Sequence, residues 1–111
     1  MPFVWRMNDR ECLEGIIDLA VHDPASESWL ILDWKTNRVK PDELTELQTH
    51  YAPQLAAYRA MLAEITGEKV EAALYSTACA TWLPYDARTL DAAWTHIASN
   101  AAAIDAALAT P

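Results

Sequence analysis

Residues 13–36, LEGIIDLAVHDPASESWLILDWKT, hold two runs rich in apolar, β-branched and aromatic residues, with HDPASES between them. Such runs favour strands, and the Asp, Pro and Ser between them favour a turn, so residues 13–21 and 29–36 read as a β-hairpin. The side-chain period of a strand is two, which places Asp33 and Lys35 on one face of LDWKT and Leu32 and Trp34 on the other. Folding the hairpin about Ala25 and Ser26 makes paired residue numbers sum to about 51, so Asp18 falls opposite or nearly opposite Asp33. A slip of one residue would send Asp18 to the other face, so this pairing depends on the register.

Two adjacent carboxylates on a mostly apolar sheet are costly unless a positive group joins them. A hard divalent cation such as Mg²⁺ is the usual answer, held by carboxylate oxygens, waters and sometimes a backbone carbonyl. Such an ion can acidify a bound water and stabilise charge on a phosphoryl group, and a nearby ammonium can orient the water or neutralise developing charge. Taken alone, Asp-x-Lys is read more simply as a surface ion pair, with Asp18 an acid near a turn.

Beyond Pro41 the pattern becomes helical. PDELTELQT carries a proline and two acids where a helix would start. After His50, the run YAPQLAAYRAMLAEITG spaces Tyr51, Leu55, Tyr58, Leu62 and Ile65 at helical intervals, and Gly67 stands where that helix would stop. This places His50 between two helices. Residues 70–77 and 79–85 read as two short strands, the second marked as an edge by Pro84. Asp86 then caps one last helix, whose stripe is Leu90, Trp94, Ile97, Ala101, Ile104 and Leu108. The order ββ(α)αββα describes an α/β sheet with helices packed on it.

The 111 residues, 52% of them hydrophobic, suffice for one small domain spanning residues 1–111. Residues 1–10 hold Arg6, Asp9 and Arg10 and do not read as a secretory leader, and no stretch approaches a membrane span. Cys12 and Cys79 stand far apart, outside any CxxC pair, and are expected to be reduced cytoplasmic thiols rather than ligands of a zinc or iron-sulfur site. A net charge of -8 argues against an autonomous nucleic-acid binder, and points to a partner or a larger parent chain that supplies most phosphate contacts. Of the five tryptophans, Trp5, Trp29, Trp34, Trp82 and Trp94, most are expected in core or interface positions rather than stacked on single-stranded DNA. No P-loop, GxGxxG or GxSxG motif occurs.

GIID at residues 15–18, DWKT at residues 33–36 and QLAAY at residues 54–58 follow one another in this order. Together they resemble the RecB-type nuclease domain of the PD-(D/E)XK superfamily, as found at the C-terminal end of AddA-like helicase-nucleases. The resemblance covers roughly residues 14–77. It implies a restriction-endonuclease-like core with a central mixed β-sheet flanked by helices. It implies that Asp18 and Asp33 ligate Mg²⁺ or Mn²⁺, with the Trp34 backbone carbonyl as a further ligand, and that Lys35 is the catalytic lysine. Gln54, Tyr58 and Thr36 would position substrate; Gln54 and Tyr58 in any case share a helix face by their i, i+4 spacing.

The resemblance also implies a DNA exonuclease module of a helicase-nuclease that processes double-strand breaks for recombination. DNA and a helicase domain or subunit would be its partners, and ATP would act only through the helicase part outside this chain. The family's upstream helix, which adds a His or Glu to the metal site, does not fit in the fourteen residues before Gly15. Neither His22, His50 nor His96 takes its place, Glu14 is a weak substitute, and the cysteine set of the iron-sulfur branch is absent. The chain is therefore expected to be an N-terminally truncated C-terminal fragment. Apolar surface left by the truncation could drive oligomerisation. The competing expectation is an inactive module of the same fold that binds DNA or docks onto a helicase.

Overall fold

A computed structural model describes the backbone of residues 2–6, 12–16 and 18–110, with side chains from Asp18 onward. Its elements run β1 (Pro2–Arg6), β2 (Cys12–Ile16), β3 (Leu19–Asp23), β4 (Ser28–Lys35), α1 (Leu44–Thr66), β5 (Lys69–Ser76), β6 (Thr81–Pro84), α2 (Ala87–Ile97) and α3 (Ala101–Leu108). Strands β3 to β6 form a mixed sheet in the order β3-β4-β5-β6, in which only β4 and β5 are parallel. Helix α1 makes the crossover that a parallel pair requires. Strands β1 and β2 form a separate antiparallel pair.

The hairpin of β3 and β4 has the expected register, with Leu19 opposite Leu32 and Asp23 opposite Ser28. Residues 13–21 are not one strand, however. The chain breaks between β2 and β3, and the Asp18 carboxylate accepts the Trp34 N–H at 2.9 Å. A side chain thus takes an amide that a longer β3 would have met with its backbone. At the turn, Asp23 accepts from the Ala25 N–H and the Ser26 hydroxyl, and Glu27 adopts φ 51. His22 is not in this turn but within β3, where it meets Glu68 at 2.8 Å and lies against the Trp29 ring.

Pro41 opens a short 3-10 turn, Pro41–Glu43, in which the Glu43 carboxylate accepts the Lys40 N–H, and α1 follows without interruption. His50 therefore lies inside one helix and not between two. Pro53 removes one helical hydrogen bond, but Leu47, Tyr51, Leu55, Tyr58 and Met61 keep a single buried stripe running past it. Packing of that stripe outweighs the lost bond. Gly67 ends α1 in the left-handed region at φ 69, its N–H donating to Ala63 O.

Alternation in β4 and β5 sends Ile31, Val70, Ala72 and Leu74 toward α1, where they join Tyr51, Leu55 and Met61 in the core. Helices α2 and α3 pack on α1 in turn. Asp86 caps α2 as expected, accepting the Arg88 N–H, and β6 with Pro84 is indeed an edge strand. The single last helix expected from the apolar stripe is two helices. Asn100 interrupts it, and its side chain accepts from Ala102 N and Ala103 N to start α3. Among the described residues no helix is long and apolar enough to cross a membrane.

Candidate active site

The site lies where β4 ends on the face covered by α1. Asp33 and Lys35 are 5% and 8% exposed, while Trp34 between them is 42% exposed and faces away. The period of two expected from the sequence is therefore realised with the charged pair inward. The reading of Asp33 and Lys35 as a surface ion pair does not hold. In β5 their partners are Leu74 and Ser76, both fully buried.

Asp18, just before β3, continues the hairpin register toward Asp33, and the two carboxyls lie close enough to shift each other's protonation. The two acids respond in opposite senses. Burial, reinforced by the Asp18 carboxyl, pushes Asp33 up to about 6 against the pull of Lys35. Asp18, held by Asp33, by the Trp34 N–H and by the charge of Lys35, stays below the usual carboxylate range. The pair thus holds a proton up to about pH 6 that two separate carboxylates would release near pH 4, as like charges at close range require.

Lys35 Nζ lies 2.9 Å from Asp33 Oδ2 and donates to Gln54 Oε1 at 2.9 Å. It also sits 4.0 Å from the centroid of the Tyr51 ring. The contact with Asp33 is an ion contact without hydrogen-bond alignment, which leaves Asp33 Oδ2 buried and without a hydrogen bond. A buried oxygen of this kind beside a second carboxylate suits a divalent cation. Among the described residues, no group of three or more His, Cys, Asp and Glu side chains gathers to hold a metal ion, so Asp18 and Asp33 would be the two acidic ligands.

The other expected residues divide. Tyr58 is buried close enough to the pair to feel it: burial, then Asp33 and Asp18, push its hydroxyl up to about 12, and it stays neutral. Gln54 is buried at 3% exposure, with its amide nitrogen donating to Thr110 O at 2.7 Å. Thr36 is exposed just beyond β4. The Trp34 N–H joins the site through Asp18. Glu14 lies outside the residues whose side chains are described. Sequence reasoning assigned Tyr51 only to the apolar stripe, whereas its ring supports Lys35 and its hydroxyl bonds to the Asn37 amide. Its place three residues before Gln54, on the same helix face, was the available signal.

Comparison with known proteins bears on this geometry. No solved structure matches the chain. A curated relative, an ATP-dependent helicase/nuclease subunit of Carboxydothermus hydrogenoformans, is 39% identical over 70 residues, which are 63% of this chain and 6% of that protein. The chain thus corresponds to only a small part of that relative's length. The family model of the PD-(D/E)XK nuclease superfamily matches residues 3–109, and with that span of its sequence accounted for, the chain belongs to this superfamily.

Proposed function

We propose that this chain is a metal-dependent nuclease module that hydrolyses phosphodiester bonds of DNA, acting within a helicase-nuclease on broken DNA ends. The observation that carries the reading is the convergence of Asp18, Asp33 and Lys35, two neighbouring carboxylates beside one buried lysine. Asp18 and Asp33 would hold Mg²⁺ or Mn²⁺, with the Trp34 carbonyl as a further ligand. A divalent cation there supplies Lewis-acid polarisation of a phosphoryl oxygen and lowers the pKa of bound water. Lys35 would stand near the reacting phosphate, orienting the attacking water or offsetting negative charge as it develops. Tyr58 closes the site from α1, and exposed Thr36 lies where substrate would approach. The relative's name supports the helicase association, and the chain's charge of -8 is consistent with most DNA contacts lying outside it.

A second reading, an inactive module of the same fold that docks onto DNA or a helicase, is favoured by the absence of a third acidic or histidine ligand among the described residues. The two separate in a calorimetric Mn²⁺ titration of the chain beside Asp18→Ala and Asp33→Ala. Saturable binding lost in both variants is the expected result. A folded chain that binds no Mn²⁺ would move the assignment to the docking module, whose function is indifferent to Lys35→Met.

A further inference from the structure

Gln54 has both ends of its amide engaged inside the protein. Its Oε1 accepts from Lys35 Nζ at 2.9 Å, and its Nε2 donates to Thr110 O at 2.7 Å, with Leu108 O at 3.5 Å. The amide's orientation is fixed by chemistry. An ammonium can only donate and a backbone carbonyl can only accept, so a flipped Gln54 would face like against like on both sides. The three hydrogens of Lys35 have three nearby partners: the Asp33 carboxylate on its own strand, and the Gln54 oxygen and Tyr51 ring, both from α1. Tyr51 bonds back to Asn37 just beyond β4, while Gln54 reaches out of α1 in the other direction along the chain. It leads to the last turn of α3, 56 residues further along the chain from Gln54.

We propose that Gln54 is a positioning residue that couples the docked C-terminal turn of α3 to the Lys35 ammonium. Carbonyls of Leu108 and Thr110 hold the amide so that its oxygen faces Lys35. When that turn leaves α1, the amide is free to rotate toward water and Lys35 loses its anchor. Helix α3 is suited to such a role, because Ile104 and Ala107 bury it against the core while only a short turn beyond them reaches Gln54. The consequence for cleavage rests on the nuclease reading above; the coupling itself does not.

The test reads Lys35 directly. The chain has three lysines, Lys35, Lys40 and Lys69, and in a ¹⁵N-lysine-labelled sample the buried, hydrogen-bonded ammonium of Lys35 is the one expected to exchange its hydrogens slowly. A chain ending at Ala107 should exchange them faster by about tenfold, the size of one lost hydrogen bond. In a Gln54→Glu background the carboxylate still accepts from Lys35 but has no N–H for the carbonyls, so the same shortening should change the Lys35 rate by less than about twofold. A shortened chain with a dispersed amide spectrum and unchanged Lys35 exchange would overturn the proposal. Should the shortened chain not fold, full-length Gln54→Glu decides: amides of α3 are expected to exchange faster while Lys35 stays anchored, and unchanged α3 protection overturns the coupling. Neither readout needs metal or cleavage, so a chain that binds no Mn²⁺ yet shows the coupling would sink the nuclease reading and leave this one standing.

Discussion

The two faces of β4 invert the usual distribution of polarity. Its inner residues Ile31, Asp33 and Lys35 are all buried beneath α1, so two charges sit in the core. On the outer face, Trp34 and, on β3 and β6 of the same sheet, Leu19, Val21 and Trp82 are exposed. Burying a bonded ion pair gains little over an apolar pair of similar volume, and an exposed apolar face gains nothing for the chain alone. The inner face thus holds charges where apolar residues would serve folding as well, which is consistent with the chemistry proposed for them.

The difference can be broken most sharply at neighbouring inner positions. Ile31→Ala removes a fully buried branched side chain and should cost about 3–4 kcal/mol in urea unfolding. Asp33→Ala leaves the Lys35 cation buried without its ion-pair partner, and should cost about 3 kcal/mol. The double change Asp33→Leu with Lys35→Met should recover that loss to within about 1 kcal/mol, or exceed it, while abolishing Mn²⁺ binding. If the double variant were as unstable as Asp33→Ala, the ion pair would be a structural asset and the contrast between the faces would lose its meaning.

Protonation sharpens the comparison from another side. Asp33 is raised to about 6, so between about pH 4 and 6 the folded chain keeps a proton that the unfolded chain has released. Stability without metal should therefore be highest in this respect below pH 4 and fall as pH rises through 6, by at most about 3 kcal/mol. Asp18, lowered, works in the opposite sense and below that window. Urea midpoints in a chelating buffer at pH 4, 5, 6 and 7 should show the fall in the native chain and a flatter profile in Asp33→Asn. Equal profiles would mean that Asp33 is ionised throughout.

How much of this was legible depended on sequence distance. The hairpin register followed from a short turn and placed Asp18 toward Asp33, and the period of two put Asp33 and Lys35 together. Which of the two faces would be covered was not legible, since Ile31 and Leu32 are equally apolar and only the path of α1 decides between them. The order of the three motifs led to the family. The break at Asn100 was hidden by an apolar stripe that continues in phase on both sides, although Ser99-Asn100 is a capping signal. Strand β1 was missed in PFVWR because its partner begins only at Cys12, after a connection with no hairpin signature. Gln54 was recognised through its motif, but its partners at Leu108 and Thr110 come from packing of α3 on α1, and no local pattern encodes that contact.

The smallest expected effect lies on the outer face. Val21, 48% exposed on β3, sits opposite Leu30 on the outer face of the sheet. Val21→Thr keeps the β-branched shape and strand preference while replacing a methyl by a hydroxyl that water can satisfy. Its cost should stay within about 0.5 kcal/mol by urea unfolding, as for an ordinary surface position. A loss as large as that of a core substitution would show that this face is covered by something other than solvent in the folded chain, and the inversion between the two sides of β4 would then be a property of the uncovered sheet alone.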